Sequence, residues 1–111
     1  MAGEFDWIAR VRERAALSSS VIRGIGDDAA IVRPAPDCDL VISTDTLVAG
    51  VHFPLDTAPA DVGYKTAAVN LSDLAAMGAD PLYATLALSI PSLDPGYVDP
   101  LMTALLGALK A

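Results

Sequence analysis

The sequence predicts an α+β fold in which a split βαβ sheet carries its helices on one face. Three observations predict it. A long run with 3.6-residue apolar periodicity lies between residues 60 and 77, two apolar runs without Gly or Pro flank it at 39–48 and 82–90, and the elements follow one another as helix, strand, strand, helix, strand, helix. A series of this kind normally returns to the sheet once more, so the pattern reads as cut short before its last strand.

Each element has its own local reason. Phe5, Ile8 and Ala9 fall at helical spacing, with Val11 and Leu17 further on and Arg and Glu between them, which predicts a short amphipathic helix over 4–17 closed by Ser18, Ser19 and Ser20. Residues 21–26 lead through Asp27 and Asp28 into 29–32, a glycine-kinked turn feeding a short strand that Pro34 and Pro36 end. The 39–48 run, DLVISTDTLV, is the clearest strand because it is dense in β-branched residues. A helix then spans about 60–77, with Tyr64, Ala67, Ala68, Leu71, Leu74 and Ala75 as a stripe expected to lie on a sheet and Thr66, Asn70 and Asp73 on another side. Gly78 suits the C′ position and Pro81 forbids continuation. Residues 82–90, LYATLALSI, read as a central strand, 91–96 as a turn, and Leu101, Met102, Leu105 and Leu109 mark a final helix reaching Ala111. No repeat or linker composition suggests a boundary, so 1–111 reads as one domain.

Composition narrows the function classes. Fourteen acidic against seven basic residues give a formal charge of −7, a field that repels a phosphate backbone and argues against nucleic acid as partner. The hydrophobic fraction of 53% is high for a chain this short, since a small domain buries only about 60% of the surface its unfolded form exposes, so some apolar surface is expected to meet a partner. No apolar stretch approaches the roughly 20 residues of a membrane span. Glu4, Asp6, Arg10, Arg12, Glu13 and Arg14 interrupt the N-terminal apolar residues, unlike a secretory signal, and a cytoplasmic location is expected. Cys38 stands alone between Asp37 and Asp39, which disfavours its thiolate.

Three acids stand where burial alone would not put them: Asp28, Asp45 and Asp73. Asp45 interrupts an apolar strand, with Ser43 on its face and Thr44 on the other; an isolated charge there needs a cation or a solvated edge. Oxygen-bearing side chains of this kind suit Mg²⁺, which is held by a few carboxylates together with substrate phosphates and waters. The alternative is that Asp45 flanks a strand end and Asp73 is a solvated helix residue. The two glycines of Gly24-Ile25-Gly26-Asp27-Asp28 would let the backbone approach a phosphate, making Gly26 and Asp27 candidate nucleotide contacts. That stretch lacks the third glycine of a dinucleotide fingerprint and the Gly-Lys-Ser/Thr of a P-loop, and a tight turn is its other meaning. His52 follows the 39–48 strand, either as a structural residue or as a donor to a phosphate.

The chain resembles the N-terminal part of the thiamine-monophosphate kinase family, in the superfamily of aminoimidazole ribonucleotide synthase, selenophosphate synthetase and the hydrogenase-maturation dehydratase. The resemblance is carried, in order, by Gly3-Glu4-Phe5, by Gly24-Ile25-Gly26-Asp27-Asp28-Ala29-Ala30, by Ser43-Thr44-Asp45-Thr46-Leu47-Val48, by Gly50-Val51-His52-Phe53, and by Tyr64-Lys65 with Ala68-Val69-Asn70-Leu71-Ser72-Asp73-Leu74-Ala75-Ala76-Met77-Gly78-Ala79. It implies the superfamily's N-terminal fold and transfer of the γ-phosphoryl of ATP onto thiamine monophosphate, giving thiamine diphosphate. It also implies Mg²⁺ ligands at Asp28, Ser43, Thr44, Asp45 and Asp73, contact of His52 with the thiamine phosphate, metal-assisted transfer without a protein general base, and a homodimer formed through this domain. The family continues with a Gly-Gly-Asp strand and a second α/β domain, so these residues are expected to have little catalysis of their own. The other readings are a relative that activates a different oxygen with ATP, of the aminoimidazole ribonucleotide synthase type, and a non-catalytic dimerisation module.

Overall fold

The structure, a computed structural model, describes residues 3–15 and 17–110 and divides the chain into two compact units, Met1–Leu40 and Val41–Ala111. The expected ends of two helices touch Ala16 and Ala111, which lie outside the described residues. The described elements are helical and β in sequence, as an α+β chain requires.

In the first unit, α1 (Glu4–Arg14) begins where the Asp6 carboxylate accepts a hydrogen bond from the Gly3 N–H at 3.2 Å. Glu4 and Asp6 sit in its first turn and Arg12 and Arg14 in its last, each charge facing the opposite end of the helix dipole. None of its residues is buried. β1 (Val21–Arg23) and β2 (Ile31–Val32) then pair antiparallel, Val21 opposite Val32 and Arg23 opposite Ile31, with an irregularity between the two pairs. The connection between them contains Gly26 at φ 114°, a backbone conformation open to glycine at little cost.

The core of the second unit lies between two helices. α2 (Pro59–Ala76) starts with a proline in its first turn, where the missing N–H costs nothing, and ends in a Schellman motif. Gly78 at φ 66° donates to the Ala75 carbonyl at 3.0 Å, and Ala79 donates to the Leu74 carbonyl at 3.0 Å, as the sequence anticipates for Gly78. α3 (Pro95–Lys110) buries Val98, Leu101, Met102 and Leu105, the i, i+3, i+4, i+7 stripe of an amphipathic helix, against Val62, Gly63 and Ala67 of α2. At Gly63 the helices come so close that a Cβ would run into the Leu101 carbonyl oxygen.

Four sequence expectations need correction here. The 39–48 and 82–90 runs form no strand among the described residues, where the strands are β1 and β2 and a single isolated bridge joins Ala49 to Phe53. Branched residues favour an extended chain, but a strand exists only when a neighbour takes its N–H and C=O groups. α2 packs on α3 and not on a sheet, and the contact centres on Val62, Gly63 and Ala67, so that of the expected stripe only Ala67 is buried and its first member, Tyr64, is 64% exposed. Finally, α3 begins at Pro95, inside the stretch expected to turn. Asp94 makes this start favourable: its Oδ1 accepts from the Gly96 N–H at 3.0 Å, while its carbonyl accepts from Tyr97 and Val98.

Candidate functional site

The second unit gathers the chemistry around a tight turn and one face of α2. Residues 48–53 close on themselves: Val51 and His52 both donate to the Val48 carbonyl, at 3.0 and 2.9 Å, and Gly50, at φ 81°, donates to the Phe53 carbonyl at 2.7 Å. The Val48 N–H donates to His52 Nδ1 at 2.8 Å. That bond needs a lone pair on Nδ1, so the neutral imidazole carries its proton on Nε2 and offers a donor there. Lys65, in the second turn of α2, donates from Nζ to the His52 carbonyl at 2.5 Å.

Asp45 and Asp73 form a carboxyl pair. The Asp45 pKa is raised above the ordinary carboxylate value chiefly by a side-chain hydrogen bond with Asp73, then by desolvation and by the Asp73 charge, while a protonated His52 would oppose the shift. A neighbouring carboxyl of like charge disfavours the ionised form of Asp45. Asp73 stands on the same side of α2 as Thr66 and Asn70, which are tied to the helix backbone: Thr66 Oγ1 donates to the Val62 carbonyl at 2.7 Å and Asn70 Nδ2 to the Thr66 carbonyl at 2.8 Å. The polar face foreseen on α2 is therefore built, with Asp73 at its far end. Ser43 and Thr44 are exposed just before Asp45.

The remaining candidates lie in the first unit. Asp27 is engaged locally: Oδ1 accepts from the Asp28 N–H at 2.8 Å and Oδ2 meets Arg23 Nη1 at 3.1 Å. A nucleotide contact through Asp27 would compete with that ion pair, which is exposed and weak. Gly26 and Asp27 border a cavity of about 320 Å³ that Arg12, Arg23, Leu17 and Gly24 also line. Asp28 is exposed in the same turn. Among the described residues no three His, Cys, Asp or Glu side chains gather as a ready-made metal cage. Sequence reasoning assigned no role to Lys65, because no spacing rule links residue 65 to a carbonyl thirteen positions earlier.

A family profile, AIR synthase related protein, N-terminal domain, matches residues 26–111. The chain belongs to this family. Within it, the chain is similar to thiamine-monophosphate kinase of Escherichia coli (strain K12), 51% identical over 109 residues that cover 97% of this chain and 34% of that protein. Thiamine-monophosphate kinase of Haemophilus influenzae is 43% identical over 109 residues, covering 97% of this chain and 33% of its own. Among solved structures, thiamine-monophosphate kinase from Stenotrophomonas maltophilia K279a superposes with a TM-score of 0.80 at 46% identity, over 95% of this chain and 33% of that one. The chain thus spans about a third of the length of the curated relatives it matches. Both the α+β class and the superfamily expected from the motifs agree with this AIR synthase-related N-terminal domain.

Proposed function

We propose that the chain is the N-terminal metal- and ATP-binding, dimerising domain of a thiamine-monophosphate kinase, an enzyme that moves the γ-phosphoryl of ATP onto the phosphate of thiamine monophosphate. The similarity to kinases of that name supports the substrate pair. The observation that carries the site is the Asp45–Asp73 carboxyl pair with His52 near enough to influence it.

An all-oxygen donor set of two carboxylates fits Mg²⁺, which is usually bound through one or two carboxylates plus substrate phosphates rather than in an all-protein cage. Asp45 and Asp73 would hold it, Ser43 and Thr44 stand beside Asp45 in the chain, and Asp28 in the first unit is a further ligand by resemblance. When bound, the metal supplies the positive charge that lets two polyanions approach and that spreads the charge of the transferring group. His52 donates from Nε2 to the phosphate of the acceptor, orienting it. The acceptor oxygen is already ionised near neutral pH, so no side chain of this site has to remove a proton. Gly26 and Asp27 are the nucleotide contacts in this reading. A homodimer accounts for apolar side chains left in water, among them Ile42 at 83% exposure and Leu82 at 63%. A cytoplasmic location follows from the use of ATP, and among the described residues no helix is long and apolar enough to cross a membrane.

The test is an assay of the full-length protein for thiamine diphosphate and ADP formed from thiamine monophosphate and MgATP. Asp45→Asn is expected to lower kcat about a hundredfold, the scale on which lost transition-state charge stabilisation is felt. Turnover confined to an amidine substrate would instead place the protein with the aminoimidazole ribonucleotide synthase type.

A further inference from the structure

We propose that Lys65 is a positioning residue for substrate: by holding the main chain of the 48–53 turn against α2, its ammonium keeps His52 in the orientation and tautomer that present Nε2–H to a phosphate. This rests on the reading of His52 as the phosphate contact. The bonds that close the turn are local, running among Val48, Gly50, Val51, His52 and Phe53, and they shape the turn without fixing it to anything else. The Lys65 bond spans thirteen residues and joins the turn to a helix. It also lands on the His52 carbonyl itself, so it restrains the peptide from which the imidazole projects.

Two further observations support the assignment. Val48 N–H must meet Nδ1 for the proton to stay on Nε2, and a rotation of the backbone at His52 would break that 2.8 Å bond and release either tautomer. Lys65 meets the main-chain carbonyl of His52, so the turn is where Lys65 is engaged. A charged donor on a carbonyl is among the stronger hydrogen bonds, and an exposed lysine on a helix surface has no need of it for packing.

The test uses the full-length protein and compares Lys65→Met with Lys65→Arg, which retains a charged donor. Lys65→Met is expected to raise KM for thiamine monophosphate about tenfold, the effect of losing one charge-assisted hydrogen bond, with KM for ATP unchanged and kcat within about twofold. In ¹⁵N spectra the His52 signals, assigned by their loss in His52→Gln, should move from the Nε2–H pattern toward a tautomer mixture in Lys65→Met. Lys65→Arg should keep both properties. Unchanged KM and unchanged His52 shifts in Lys65→Met would overturn the proposal, as would a collapse of thermal stability that takes both with it, which would make Lys65 a residue of stability only. If the native protein does not phosphorylate thiamine monophosphate at all, the functional reading fails, whereas the His52 spectra still decide whether Lys65 sets the tautomer.

Discussion

Asp45 is a single carboxyl whose neighbour Asp73 disfavours its charge. Its hydrogen bond with Asp73 favours the protonated form, so its folded-state pKa lies above the unfolded value. Between those two values the native state binds more protons than the unfolded chain, and stability therefore falls as pH rises through that window and stays reduced above it. Asp45→Asn cannot ionise and removes this loss. In metal-free buffer the variant's Tm at neutral pH is expected to equal or exceed that of the native protein, with the two curves converging at acid pH; a variant that declines more steeply with pH would contradict the pairing. Asp73→Ala is expected to change stability by less than about 0.5 kcal/mol in denaturant titrations, since Asp73 is exposed. Calorimetric titration should show that it weakens binding of Mg²⁺ with an ATP analogue; unaltered heat would remove Asp73 from the site. Asp45 draws notice in the sequence as an acid within an apolar run, although that run forms no strand among the described residues and leaves Asp45 exposed. Lys65 draws no such notice, because its partner is a main-chain atom that only folding brings within reach.

At the scale of elements, stability of the second unit depends on how closely α2 and α3 approach. Gly63→Ala places a methyl group against the Leu101 carbonyl and is expected to cost about 1–3 kcal/mol, as overpacking does, whereas Leu105→Ala should cost about 2–5 kcal/mol by leaving a cavity. Both are read from the denaturation midpoint. Asp94→Ala should cost about 1 kcal/mol through loss of the α3 cap. The helices were largely legible because their signals are local: the periodicity of Leu101, Met102 and Leu105, and the Gly78 stop. The start of α3 was missed because Pro95 and Gly96 read as turn residues until Asp94 is seen to cap them. The 39–48 and 82–90 runs misled for a different reason, since side-chain branching reports a preference for extension but says nothing about who pairs with the backbone.

Across the whole molecule, exposed apolar residues include members of those same two runs, Ile42 and Leu82 foremost among them, as well as Phe5, Val51, Leu55 and Met77 outside them. If a second copy covers them, Ile42→Asp should leave the far-UV signal of the protein intact and shift its sedimentation toward monomer; an unchanged association constant would place the dimer contact elsewhere. The sequence by itself determined the family, the helices and the acidic, oxygen-rich character of the candidate site, because motifs, caps and periodicity act over a few residues. Tertiary structure alone decided that α2 meets another helix through Val62, Gly63 and Ala67, that Asp73 stands beside Asp45 and raises its pKa, and that Lys65 bonds the His52 carbonyl. Those contacts join residues far apart in the chain, and their formation depends on packing and backbone pairing that no local preference encodes.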